Sequence, residues 1–135
     1  MAFVLALVLM ANASAADAPF RVVVHRANPV TSMTRAQLSA IYMKRVRSWG
    51  DGAEIVPVEQ SSVREPFSRS IHGKSVAYVT RYWQRLIFAG RGVPPAELRS
   101  RDAVVEFVKS HRGAIGYLDT RAALSDEVKV IAVVP

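Results

Sequence analysis

Two serines and an arginine, in the run Ser61-Ser62-Val63-Arg64, stand two residues beyond the apolar stretch Ile55-Val56-Pro57-Val58. A strand that enters a helix through such a pair presents unpaired N–H groups and hydroxyl donors at the positive end of the helix dipole, which suits a small oxyanion. Arg64 would add a charge-assisted hydrogen bond to the same guest. The competing role is local. Ser62 and Glu65 have capping-box spacing, worth typically about 1 kcal/mol, and Ser61 and Arg64 are then solvated. Thr31 and Ser32, in the loop after the first apolar run, are further hydroxyls that could approach an anion from the side opposite Ser61, or bond within their own loop.

Other chemistries have weaker support. His25, His72 and His111 have no i, i+3 or i, i+4 partners, so no metal site is expected. His72 beside Gly73 and His111 before Gly113 suit helix C-termini, where the dipole favours them. The chain has no cysteine, which removes disulfides, thiolate zinc sites and thiol nucleophiles together. Ser61 and Ser62 lie outside any G-x-S-x-G elbow and have no identifiable His/Asp pair to activate them, so neither enzyme activity nor a cofactor is expected. Trp83 falls at helical spacing with other apolar residues and reads as core, and Trp49 as a packing anchor in a turn. Arg81, Arg85 and Arg91 could line a basic face for an anionic partner, although such charges are usually only solvated.

These groups belong to a chain of 135 residues with 18 Lys+Arg, 11 Asp+Glu and half its residues apolar, totals that describe one domain and exclude a multidomain enzyme. A formal net charge of +7 favours anionic partners. Met1 to Ala11 are uninterrupted apolar and lead into Asn12-Ala13-Ser14-Ala15, an h-region with a small-residue cleavage signal. This reads as a secretory signal peptide over residues 1–15, cut after Ala15, leaving a single domain over 16–135 that is periplasmic or otherwise exported. The apolar stretch falls short of the roughly 20 residues that span a bilayer. With dispersed basic residues and an exported chain, nucleic acid is not an expected partner.

The elements that must position the serines follow from periodicity. Phe20 to His25 is a β-branched strand running into a loop at Asn28-Pro29. Thr34 and Gln37 form a capping box, Met33 and Leu38 a hydrophobic staple, and Leu38, Ile41 and Tyr42 repeat at helical spacing. After the turn Trp49-Gly50-Asp51-Gly52, Ile55 to Val58 is a second strand, which Pro57 places at a sheet edge or a strand end. A helix from Ser62 buries Val63, Phe67 and Ile71 and stops at Gly73, its start blurred by Pro66. Ser75 caps a longer helix whose stripe Val76, Val79, Trp83, Leu86 and Ile87 makes it the main core helix, ended at Gly90. Val104, Phe107 and Val108 mark another helix, Ala114 to Leu118 a buried strand, Thr120 to Leu124 one helical turn, and Val128 to Val134 a last strand. The order describes an α/β domain with a mixed sheet of about four strands flanked by helices.

The run from Leu38 through Trp49 to Gly52, the strand IVPV, the pattern S-x-x-R-E-x-F over Ser61 to Phe67, and GAIGYL over Gly113 to Leu118 resemble, in that order, the phosphate-binding proteins of phosphate ABC transporters. The resemblance covers roughly Phe20 to Leu118 and implies a single periplasmic-binding-protein-like lobe. In that family the junction reads S-G-T, and hydroxyls with backbone amides at a helix N-terminus hold phosphate. Ser61 matches the family serine. Ser62 stands where the family has glycine, Val63 where it has threonine and Pro57 where it has arginine, so Arg64 is the local cation. The implied ligand set is Ser61, Ser62, Val63 and Arg64, with Thr31 and Ser32 as additional candidates. The implied function is reversible, non-enzymatic binding of phosphate or a related oxyanion, with a membrane permease or another protein as partner. The alternative is a protein-interaction or sensory module that keeps the fold after losing the ligand.

Overall fold

The computed structural model describes residues 18–121, 123, 124 and 126–135, so the expected signal peptide over 1–15 lies outside it. Among the described residues the order is β1 (Phe20–His25), β2 (Ser32–Thr34), α1 (Arg35–Tyr42), β3 (Val56–Gln60), a 3₁₀ turn (Ser61–Val63), α2 (Arg64–Phe67), a π turn (Ser68–His72), α3 (Val76–Phe88), β4 (Ala96–Leu98), α4 (Arg101–Ser110), β5 (Ala114–Asp119) and β6 (Val128–Val134). The strands form one sheet in the order β2-β6-β1-β5-β3-β4. β1 is antiparallel to both of its neighbours, while the β2–β6, β5–β3 and β3–β4 pairs are parallel. Five strands therefore end at the edge where β1 begins, and the turns that open α1, α2 and α4 gather along it.

The sheet has six strands where the sequence suggests about four. The additional strands, β2 and β4, are three residues each, too short to show a period of two. β2 doubles as the entry to α1, and β4 follows Pro94-Pro95, which reads as a connector. Pro57 sits near the start of β3, and β4 pairs only from Val58 onward, so the missing proline N–H costs no bond on that side.

Apolar residues on the two sheet faces form two cores. One joins Phe20, Val22 and Val24 of β1 to Leu38, Ile41 and Tyr42 of α1 and to Phe67 and Ile71. Its centre is aromatic: Phe67 stacks on Tyr117 at 3.7 Å between ring centroids, and Phe20 and Tyr42 meet Phe67 edge-on. The buried Tyr42 hydroxyl donates to the carbonyls of Val58 and Ile115, at 2.8 and 3.2 Å, and so ties α1 to β3 and β5. The other core sets Val23, Val58 and Leu118 against Val104 and Val108 of α4. Gly116 lets α4 approach this closely: a Cβ there would lie 2.7 Å from Val104 Cγ1 and 3.2 Å from Val108 Cγ2.

The capping box at Thr34 and Gln37 forms, and Ser75 caps α3. The single helix expected from Ser62 does not. It divides into the 3₁₀ turn, α2 and the π turn, because Pro66 has no N–H to give to the carbonyl four residues back at Ser62. α2 instead begins at Arg64, which places Pro66 in a first turn whose N–H groups need no helical partner. Gly73 closes the run at φ +64°. α3 is not the main core helix. It buries only Val79 and Trp83, in a satellite cluster with Met43, and leaves Ile87 and Phe88 exposed. The buried part of its apolar stripe packs on Met43, just after α1, and Ile87 of that stripe is left without cover. Of the helical turn expected over 120–124, Thr120 and Arg121 are not helical and residue 122 lies outside the described residues.

Candidate functional site

β3 carries two polar residues past its apolar start, Glu59 and Gln60, and their side chains organise the sheet edge. Glu59 pairs in register with Tyr117 of β5 and with Glu97 of β4. The Tyr117 hydroxyl donates to Glu59 Oε2 at 2.8 Å, and Arg64 Nε lies 3.3 Å from Glu59 Oε1. Burial raises the Glu59 carboxyl above its ordinary pKa and Glu97 pushes the same way; the Tyr117 hydrogen bond and Arg64 pull against them. The Tyr117 phenol is raised strongly, first by burial and then by the Glu59 charge, so it remains a hydrogen-bond donor at neutral pH.

Gln60, buried at the end of β3, makes a second bridge. Its Nε2 donates to Asp119 Oδ2 and to Ser62 Oγ, both at 2.8 Å, and its Oε1 accepts the Asp119 N–H at 2.8 Å. Asp119 is lowered, first by the Gln60 amide; burial opposes this, and Arg121 and Arg101 lower it further. Arg101 Nε, at the start of α4, lies 3.9 Å from Asp119 Oδ1. Two arginine–carboxylate pairs, their carboxylates on the adjacent strands β3 and β5 and their arginines opening α2 and α4, thus flank the Ser61–Ser62 turn. Carboxyl ends of parallel strands are where open α/β sheets take ligands. Among the described residues no cluster of His, Cys, Asp or Glu could hold a metal ion. The donors present are hydroxyls, amides and guanidinium groups, and each of the two guanidinium groups faces a carboxylate of the fold.

The sequence-derived candidates fall into two groups. Ser61, Ser62, Val63 and Arg64 lie together at the end of β3. Ser61 is half-buried and Ser62 exposed, with its hydroxyl accepting from Gln60 instead of capping a helix. The Val63 side chain is buried in the aromatic core, which leaves only its backbone to face a ligand. Glu65 bonds Arg69 at 3.2 Å and does not close a capping box. Thr31 and Ser32 are elsewhere. Ser32 pairs with Ala132 in β2, four strand spacings from β3, roughly 19 Å away along the edge. Thr31 lines a separate groove of about 420 Å³ with Phe20, Arg21, Arg35, Ile71 and Val133. One small oxyanion cannot touch both groups. Sequence reasoning passed over Glu59, Gln60, Tyr117, Asp119 and Arg101. The available signal was a pair of polar residues closing an apolar strand immediately before the serines.

A family model described as a PBP superfamily domain matches residues 10–133. The chain belongs to that superfamily of solute-binding folds. Among solved structures it is similar to a proposed phosphate ABC transporter substrate-binding protein with bound phosphate from Clostridium perfringens, at 22% identity and a TM-score of 0.66 over 85% of this chain and 44% of that one. It is also similar to an ABC-type phosphate transport receptor from Vibrio cholerae, at 22% identity and a TM-score of 0.63 over 85% of this chain and 46% of that one. A possible phosphate binding protein from Planctomyces limnophilus matches at 18% identity and 0.65, over 86% and 41% of the two chains. The chain spans less than half the length of each. These likenesses establish the fold. A search of curated proteins gave no match.

Proposed function

We propose that this protein is an exported, non-enzymatic solute-binding protein that captures phosphate or a related oxyanion at Ser61, Ser62, Val63 and Arg64. The observation that carries the reading is the position of Arg64: its guanidinium is held beside the 3₁₀ turn, at the carboxyl end of β3, by Glu59. The anion would meet the first N–H groups of the turn, the Ser61 hydroxyl and one face of that guanidinium. The superfamily and the phosphate-binding proteins among its structural neighbours support the choice of guest, and the apolar run from Met1 to Ala11 with the small-residue signal that follows it supports export. Transport would need a membrane permease as partner.

One observation favours the alternative reading, an interaction or sensory module without a ligand. Glu59 already supplies Arg64 with an internal anion, and Gln60 already occupies the Ser62 hydroxyl. Isothermal titration with phosphate, sulfate and nitrate separates the two. Saturable heat with at least one anion, lost in Ser61→Ala and Arg64→Ala, supports capture. Absence of heat and of thermal stabilisation at millimolar anion supports the module.

A further inference from the structure

We propose that α3 and the Lys44–Arg47 segment form a docking face for an anionic lipid bilayer, separate from the oxyanion site. From Lys74 to Ala96 the chain has four cations and no acidic residue, and Met43 to Trp49 has three cations and none. The fold joins these two segments. The Tyr82 hydroxyl donates to the Met43 carbonyl at 2.7 Å, the Arg45 guanidinium lies 5.7 Å from the Tyr82 ring centroid, and Arg47 Nη2 donates to the Arg91 carbonyl at 3.2 Å.

Exposed apolar side chains concentrate on the same segments. Among the described residues, five of the seven large hydrophobics that face solvent are here: Val46, Tyr78, Ile87, Phe88 and Val93. Phe88 is 91% exposed and Val93 70%, values that a core role does not explain. On α3 the packing face is Val79 and Trp83, and at 100° per residue Tyr78, Arg81, Arg85 and Phe88 project away from it. Exposed apolar tips interleaved with arginines are the pattern of helices that lie on membranes. The tips enter the acyl boundary, and the guanidinium groups reach lipid phosphates on long apolar stems. The charge selects the occupant: two copies joined through this face would set the arginines of α3 against one another and be repelled, whereas an anionic bilayer complements these cations, Glu54 beside Lys44 being an acidic neighbour of the face.

The test uses the full chain carrying Phe88→Trp, with vesicles of phosphatidylcholine alone or with about one third phosphatidylglycerol. Trp49 and Trp83 supply the background, subtracted from the parent chain under the same conditions. The expected result is a blue shift of the introduced indole and its quenching by brominated acyl chains, with the anionic vesicles only. Adding Arg81→Glu and Arg85→Glu should lower vesicle partitioning at least about tenfold, with thermal melting unchanged because both side chains are exposed. Vesicle binding through the apolar segment Met1 to Ala11 would not move the indole and would not depend on Arg81 or Arg85. An unshifted indole in anionic vesicles overturns the proposal, as does equal partitioning of the charge-reversed variant. An indole that responds to poly-glutamate and not to vesicles also overturns it, and marks a protein-docking face instead. None of these readouts depends on whether phosphate binds near Arg64.

Discussion

Replacing Glu59 by glutamine tests how the oxyanion site is balanced. The carboxylate lies 3.3 Å from Arg64 Nε and takes the Tyr117 hydrogen bond on its other oxygen. An anion held by Arg64 and the 3₁₀ turn would lie about 6 Å from that carboxylate. At this distance two like unit charges repel by about 0.7 to 3 kcal/mol for effective dielectric constants between about 80 and 20. Glutamine keeps the shape and can still accept from Tyr117, so the substitution removes mainly the repulsion and the competitor for Arg64. Phosphate should therefore bind about 3- to 100-fold more tightly to Glu59→Gln than to the parent chain, measured by isothermal titration at pH 7.5. In an Arg64→Ala background phosphate should bind more weakly with either residue at position 59, and Glu59→Gln should keep only the part of the gain that comes from the removed repulsion. Unchanged or weaker binding in Glu59→Gln would refute the reasoning, because Glu59 would then be neither competitor nor repulsive neighbour.

Two further perturbations test the frame around the site. Burial, with help from the Arg45 charge, pushes His72 down to about 4, so its neutral ring, bonded to Ser39 at 2.7 Å, favours the folded state. The lowered value means that this stability is complete above about 6.5 and is lost as pH falls through about 4. After allowance for partial solvent screening it amounts to about 2 kcal/mol. Urea melts of the parent chain and of His72→Gln at pH 7.5 and 4.0 should show the parent losing that much more stability; equal losses would contradict the assignment. Gly113→Ala should be more damaging, since its Cβ would be driven into the Glu54 carbonyl beside the start of β5. A cost of about 2 to 4 kcal/mol, seen as a fall of roughly 10 °C or more in Tm, is expected. A fall under 2 °C would show that the Glu54 segment yields freely.

Much of the scaffold was legible because it follows from local rules. The capping box at Thr34, the buried strand Ala114–Asp119 and the packing of Phe67 and Ile71 all rest on spacing within a few residues. Elements defined by partners were not. β2 and β4 exist because β6 and β3 offer free edges, and nothing in Ser32–Thr34 or Ala96–Leu98 announces a strand. Of the α3 stripe expected over Val76, Val79, Trp83, Leu86 and Ile87, only Val79 and Trp83 are buried and Ile87 is exposed, because periodicity does not reveal whether a sheet or a loop lies opposite. At the site, Ser61 to Arg64 stood out as a motif, whereas the side chains that meet it, Glu59 and Gln60, are themselves held by Tyr117 and Asp119 of β5, far along the chain. Glu59 and Gln60 lie past the strand expected over Ile55 to Val58, and only the pairing of β3 with β5 sets them against Tyr117 and Asp119. Thr31 and Ser32 seemed near in a linear reading and lie across the sheet because β6, β1 and β5 separate β2 from β3.

Amide chemical shifts of the ¹⁵N-labelled chain during a phosphate titration probe the junction most directly. Capture at the end of β3 predicts saturable shifts at Ser61, Ser62, Val63 and Arg64, with Thr31 and Ser32, on the far side of the sheet, unmoved. Still resonances in that turn, or small unsaturating shifts spread over the exposed arginines of α3, would contradict it.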